Sequence, residues 1–102
     1  MNYEESFKHF SKIESQEKSS WPDIRFAEYV ENCQVCSRPM FEETYMIDGP
    51  ASKKNQLQWG CLCIICALKS SPKIGWGRAQ LYKNAGTYWQ LIAGGPPVDD
   101  GI

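Results

Sequence analysis

The residues best suited to chemistry in this chain are its cysteines, four of which form two equally spaced pairs. Cys33 and Cys36 enclose two residues, and after 26 further residues Cys63 and Cys66 enclose two more. This spacing lets both sulfurs of a turn or a helix start face one cation, and two such pairs complete a tetrahedron. Thiolates favour zinc over magnesium or calcium. The pattern therefore predicts one structural zinc ion bound by Cys33, Cys36, Cys63 and Cys66.

The fifth cysteine leaves the choice of the third ligand open. Cys61 is two residues before Cys63, so it is a possible substitute for Cys63 as a ligand. An odd number of cysteines fits a fully paired disulfide framework poorly. Two alternatives to zinc would use the same thiols: an iron–sulfur cluster, and a redox-active Cys-x2-Cys pair in a thiol redox protein.

The segment between the two pairs is predicted to form a hairpin followed by a helix. Residues Phe41–Asp48 alternate in polarity and are rich in β-branched and aromatic types, which indicates a strand. A polar loop over residues 49–55 leads to a returning strand over residues 56–62. From Cys63 the apolar residues suit a short helix that stops at Ser70-Ser71-Pro72.

This order of a Cys-x2-Cys turn, a hairpin and a Cys-x2-Cys that opens a helix resembles the treble-clef class of zinc fingers. The resemblance covers residues 32–70, under half of the chain. It places Cys33 and Cys36 in the knuckle and Cys63 and Cys66 at the helix start, and it implies a structural zinc in a small α+β fold. The class includes both binding modules and nucleases. Ser37 follows Cys36 where the class usually has glycine.

Two helices are predicted before the first cysteine pair. Tyr3, Phe7, Phe10 and Ile13 recur at helical spacing, which predicts an amphipathic helix over residues 2–18. Ser20 suits a helix N-cap, so a second helix is predicted over residues 21–31. The alternation of residues Ile24, Phe26 and Val30 permits a strand there instead.

A second hairpin is predicted near the C-terminus. Residues 79–83 and 87–92 are β-prone, and Asn84-Ala85-Gly86 between them is a short loop with glycine. Three nearby aromatic residues are predicted to cover the small core, or alternatively to anchor a partner: Trp76, Tyr88 and Trp89.

At 102 residues and 42% hydrophobic composition, the chain is expected to form one small α+β fold. We divide it into an N-terminal helical arm over residues 1–20, a four-cysteine zinc module over residues 21–75, a C-terminal hairpin over residues 76–93 packed on it, and a flexible tail over residues 94–102.

The net charge of −1 conceals an acidic first half and a basic second half. Residues 1–50 carry a formal charge of −5 and residues 51–102 carry +4. The second half is an ordinary solvated face, a surface for an acidic protein or, since cations hold phosphates and aromatic rings stack on unpaired bases, a candidate surface for RNA or single-stranded DNA. Its members are Lys53, Lys54, Trp59, Lys69, Lys73, Trp76, Arg78 and Lys83.

The sequence predicts a binding function rather than an enzymatic one. His9 is the only histidine, and no phosphate-binding loop or nucleophile motif accompanies it. The near-neutral net charge places a protein partner ahead of a nucleic acid. The acidic N-terminus and the lack of a long apolar run predict an intracellular, cytoplasmic protein without a membrane partner.

Overall fold

In the part of the chain that the structure describes, five strands form one antiparallel sheet in the order β1-β5-β4-β2-β3. The computed structural model of the chain describes residues 2–18, 20–26, 30–52, 54, 58–70 and 73–97. Along the chain, the elements are α1 (Tyr3–Gln16), β1 (Arg25–Phe26), β2 (Tyr45–Pro50), β3 (Trp59–Leu62), α2 (Ile64–Ser70), β4 (Gln80–Asn84) and β5 (Trp89–Ala93). The α+β class predicted from the sequence is confirmed.

Helix α1 lies where the helical spacing predicted it and packs on the core. The Asn2 side chain caps its N-terminus by accepting a hydrogen bond from the Glu5 N–H at 2.8 Å. Phe10 is fully buried, and the other apolar residues of the same helix face pack partly buried against the core. The helix contacts both α2 and β5, so it contributes to the hydrophobic core of the whole fold.

The predicted second helix over residues 21–31 is wrong in its described part, and the strand alternative is confirmed for Arg25–Phe26. The chain turns after Trp21 and forms β1, in which Arg25 lies opposite Gln90 of β5. The Ile24 carbonyl accepts hydrogen bonds from the Leu91 N–H at 3.1 Å and from the Gln90 side-chain amide at 3.0 Å. These long-range bonds outweigh the local helix signals. Residues 27–29 lie outside the described residues.

The first hairpin consists of β2 and β3, and β2 begins later than predicted. Ile47 pairs with Leu62 at one end and Pro50 with Trp59 at the other. The predicted strand begins at Phe41, but the Glu43 N–H donates to the Met40 carbonyl at 3.0 Å and the chain turns there. This turn leaves Phe41 65% exposed. The beginning of the predicted returning strand, at residues 56 and 57, lies outside the described residues.

The second hairpin, β4 with β5, is confirmed, and it joins the first one edge to edge. Strand β4 pairs with β2, where Leu81 lies opposite Ile47, so both hairpins belong to one continuous sheet. Ile47, Leu62 and Leu81 are fully buried in adjacent strands. This row of side chains forms the centre of the core, on which the helices pack.

The start of the predicted flexible tail is packed against the fold. Gly94 and Gly95 are buried, and the indole N–H of Trp21 donates to the Pro96 carbonyl at 2.8 Å. Gly94 has φ +82°, and a side chain there would meet the Ala79 carbonyl. Residues 98–102 of the predicted tail lie outside the described residues.

A polar cluster ties α1 to the sheet. The Tyr45 hydroxyl donates to Glu14 Oε1 at 2.5 Å, and Lys83 Nζ donates to Glu14 Oε2 at 2.9 Å. Burial opposes ionisation of Glu14, but these two hydrogen bonds outweigh it and lower the pKa of the carboxyl. Burial, reinforced by the hydrogen bond to Glu14, raises the pKa of Tyr45 to about 12.

The lowered pKa of Glu14 predicts a loss of stability in acid. A carboxyl whose pKa is lowered by folding contributes stability above its ordinary value of 4.5, and this contribution is lost as the pH falls through the folded value. Between about pH 5 and about pH 3 the wild type should therefore lose more free energy of unfolding than Glu14→Gln. Urea unfolding at a series of pH values measures this difference. Parallel pH profiles would show that the cluster contributes no pH-dependent stability.

Candidate metal centre

Four cysteine sulfurs converge between the turn over residues 32–39 and the start of helix α2. The Sγ atoms of Cys33, Cys36, Cys63 and Cys66 all lie within 4.8 Å of one another, and Cys36 Sγ is 3.7 Å from Cys63 Sγ. Sulfurs bound at about 2.3 Å to one tetrahedral zinc ion lie about 3.8 Å apart. The cluster is therefore compatible with a four-cysteine metal site, as the spacing predicted.

The first cysteine pair is positioned by a tight turn, which is closed by hydrogen bonds within its own backbone. The Cys33 N–H donates to the Arg38 carbonyl at 2.8 Å, and the Ser37 N–H donates to the Cys33 carbonyl at 2.9 Å. Asn32 and Pro39 form a β-bridge that closes the base of the turn. The Val35 N–H points at Cys33 Sγ, at 3.5 Å, where it stabilises negative charge on the sulfur.

The second pair is positioned by the start of α2. Cys63 directly precedes the helix, and its carbonyl accepts a hydrogen bond from the Ala67 N–H at 2.9 Å. Residues three apart lie on the same side of a helix, which brings Cys66 next to Cys63. Ile64 and Ala67 are buried and hold this helix against the core. The predicted helix from Cys63 to its end at Ser70 is confirmed.

Cys61 lies outside the cluster, in strand β3 opposite Asp48. Neighbouring residues of a strand face opposite sides of the sheet, so Cys61 faces away from the buried Leu62. Its backbone is held by Gln34 of the metal-binding turn. The Gln34 N–H donates to the Cys61 carbonyl at 3.0 Å, and Gln34 Oε1 accepts from the Cys61 N–H at 2.6 Å. We refer to these two bonds as the Gln34 clamp.

The Gln34 clamp was not predicted, since a glutamine between two cysteines carries no sequence signal for a contact 27 residues away. The clamp requires a close approach to β3. A methyl group at residue 60 would lie 2.8 Å from Gln34 Oε1, so a side chain there would displace the Gln34 amide from the Cys61 N–H.

The thiols of the cluster differ strongly in acidity without a metal. A hydrogen bond from Cys63 lowers the pKa of Cys33 to about 4, and the same bond raises the pKa of Cys63. Burial raises the pKa of Cys66 to about 11. One thiolate therefore forms readily and further ones are opposed by it, because like charges so close together repel. A dication held by the four sulfurs would remove this opposition and let all of them ionise.

Arg38, at the end of the turn that carries Cys33 and Cys36, contacts both a carboxylate and an aromatic ring. Arg38 Nε lies 3.3 Å from Glu43 Oε1, and the Arg38 guanidinium lies 4.7 Å from the centre of the Tyr3 ring. Glu43 is buried, and burial together with the charge of Glu43 raises the pKa of Tyr3. These contacts connect the metal-binding turn to the start of α1.

Ser37 has φ +66°, in the left-handed region that favours glycine. This is the position at which the treble-clef class usually has glycine. A side chain in this region costs about 1 kcal/mol or more, while glycine gains entropy in the unfolded chain. Ser37→Gly is therefore expected to raise the free energy of unfolding by about 0.5 kcal/mol. Chemical denaturation of the zinc-loaded protein measures it, with Ser37→Ala as a control that keeps the strain. Destabilisation by glycine would contradict this expectation.

The structure brings only some residues of the predicted binding surface together. Lys83 lies at the other end of β4 and pairs with Glu14, and Lys53 lies outside the described residues. The remaining six residues are brought to one end of the sheet, as described below. Trp89 is buried as predicted, but Trp76 is 60% exposed. The prediction of a core role for Trp76 is wrong because it lies in the turn between Gly75 and Ala79.

His9 packs edge-on against Phe10, with the ring centres 4.9 Å apart, and is not part of the cysteine cluster. Within the part of the chain that the structure describes, neither helix has the length and apolar character needed to cross a bilayer.

No protein-family model, curated protein or solved structure matches this chain. The chemistry of the site therefore follows from its geometry alone.

Proposed function

We propose that the chain is a zinc-stabilised, non-enzymatic interaction module whose metal centre is of treble-clef type. The observation that carries the proposal is the convergence of four cysteine sulfurs within 4.8 Å. The order of turn, hairpin and helix around them supports the treble-clef assignment. Four protein ligands fill a tetrahedral shell and leave no position for a reacting water, which supports a structural role for the metal.

The energetic scale of zinc binding supports the same conclusion. A structural zinc supplies about 10–16 kcal/mol of binding free energy in small fingers, while the net stability of a domain is about 5–15 kcal/mol. The turn over residues 32–39 contributes few buried apolar side chains, since Val35 is half exposed and Cys36 is exposed. The metal would therefore supply most of the force that holds this turn against α2.

Metal analysis combined with thiol titration tests the proposal. We expect about one zinc per chain, no visible absorbance from an iron–sulfur cluster, and four of the five thiols protected until a strong chelator is added. Cys61 should be the thiol that reacts before chelation. A protein shown to be free of metal that keeps its circular dichroism spectrum would contradict the structural role. Stoichiometric iron in place of zinc would identify the metal centre as an iron–sulfur cluster.

Two observations bear on the class of partner. The near-neutral net charge and the exposed side chains of Phe41 and Trp76 support a protein partner, since aromatic residues often anchor protein interfaces. Single-stranded nucleic acid is the second candidate, and the position of the cations supports it.

A thiol redox role would use the exposed Cys36 beside Cys63 and requires the metal to be absent. We place the protein in a reducing intracellular compartment, where unpaired thiols persist.

A further inference from the structure

We propose that one end of the sheet binds single-stranded nucleic acid, a surface we call the basic end. The inference rests on the proposed function only in that the metal centre holds α2 and the first hairpin in place. The basic end comprises Lys54, Trp59, Lys69, Lys73, Trp76 and Arg78.

Sheet topology brings these residues together. Strand β2 ends where β3 begins, with Pro50 opposite Trp59, and β4 begins at the same end of the sheet. Directly before β4, Gly75 and Ala79 form a β-bridge that closes a turn containing Trp76 and Arg78. The two exposed tryptophans therefore belong to the same end of the fold although they are 17 positions apart.

The C-terminus of α2 and the loop after β2 reach the same end. Ser70 Oγ donates to the Ala51 carbonyl at 3.4 Å, which places Lys69 beside that loop. In the loop, the Lys54 N–H donates to Ser52 Oγ at 3.1 Å. Lys73 follows α2 on the way to the turn. Four cations thus reach this end from three different segments of the chain.

The charged side chains of the basic end are all positive. They come from a long stretch of sequence without acidic residues. The sequence contains no aspartate or glutamate from Gly49 to Pro97. The side chains of Lys54, Lys69, Lys73 and Arg78 are all exposed. Glu17, at the end of α1, lines a shallow cleft of about 240 Å³ together with Trp76 and marks the acidic boundary of the surface.

The exposed indoles favour nucleic acid over an acidic protein. Trp59 is 40% exposed and Trp76 is 60% exposed. Cations that contact phosphates, interspersed with flat aromatic rings on which bases stack, are the general features of single-strand binding surfaces. The cations alone would attract an acidic protein, whereas stacking of unpaired bases also uses the flat faces of both indoles. The near-neutral net charge, which supports a protein partner for the chain as a whole, is the sum of an acidic first half and a basic second half, and the basic end belongs to the second.

The experiment is fluorescence anisotropy of labelled oligo(U) and oligo(dT), each about 12 nucleotides long, with the zinc-loaded full chain. We expect binding at low salt that weakens with a log–log salt slope of about −3, as expected for four phosphate contacts on a single strand. Lys73→Glu with Arg78→Glu should weaken binding about tenfold or more, and Trp76→Ala about fivefold or more.

The matched control is Lys8→Glu with Lys12→Glu, which makes the same change in net charge on the exposed side of α1. Equal weakening by this pair would overturn the inference, because only net charge would then matter. Absence of binding at about 20 mM salt would also overturn it. Displacement of the oligonucleotide by oligoglutamate at equal charge concentration would assign the surface to an acidic protein instead.

Zinc content and circular dichroism of the same samples separate this inference from the proposed function. A zinc-loaded, folded chain that does not bind the oligonucleotides contradicts the basic end alone. A chain that folds and binds them without any metal supports the basic end and contradicts the structural zinc.

Discussion

Replacing Cys63 with serine is expected to abolish stoichiometric zinc binding and to unfold the region from residue 32 to residue 70. Cys63 Sγ lies 3.7 Å from Cys36 Sγ inside the cluster, and a serine hydroxyl does not ionise to replace the thiolate. Since zinc supplies about 10–16 kcal/mol in small fingers, abolishing its binding removes a free energy comparable with the whole stability of the domain. Metal analysis and far-ultraviolet circular dichroism of the purified variant measure both effects.

Cys61→Ser is the matched control for this prediction. It makes the same chemical change two residues earlier, in a strand position outside the cluster. This variant should retain about one zinc per chain and the wild-type spectrum. The opposite pattern, with zinc lost from Cys61→Ser and kept by Cys63→Ser, would mean that Cys61 occupies the ligand position of Cys63, with the end of β3 displaced by two residues in solution.

Phe10→Ala is expected to lower the free energy of unfolding by about 3–5 kcal/mol. The Phe10 ring is fully buried and lies at the centre of the helix face that packs on the core. Truncation leaves a cavity beneath α1, because neighbouring side chains fill such space only in part. Thermal or urea denaturation of the zinc-loaded protein gives the value.

Phe41→Ala provides the control for Phe10→Ala with the same loss of atoms. Phe41 is 65% exposed, so its truncation should change the free energy of unfolding by no more than about 0.5 kcal/mol. Similar small effects from both variants would show that α1 is an arm that contributes little to the core.

The elements that the sequence predicts well are those with a long local pattern. The helical spacing from Tyr3 to Ile13 gave α1, and the β-prone runs around Asn84-Ala85-Gly86 gave the second hairpin. Strand β1 was not preferred because Ser20 and Pro22 favour a helix locally, whereas the bonds from Gln90 and Leu91 that decide the outcome come from far along the chain. The pairing of β2 with β4, which unites the hairpins, has no local signal either.

The candidate site was predictable to a similar extent. Two Cys-x2-Cys pairs identify the cluster, because the spacing itself reflects ligand geometry. The choice between Cys61 and Cys63 depends on where β3 ends and α2 begins, and a boundary is the least reliable part of a sequence-based prediction. The Ser37 departure from the usual glycine was visible in the sequence, but its positive φ was visible only in the structure.

The Gln34 clamp also has a consequence for self-association. Strand β3 is an outer strand of the sheet, and an uncovered outer strand is a template on which a second chain can add its own strand. Gln34 occupies both backbone groups of Cys61 on that side, and it lies between the two cysteines of the metal-binding turn. A metal bound by this turn would keep the cover in place, and its removal would leave the chain open to aggregation through β3.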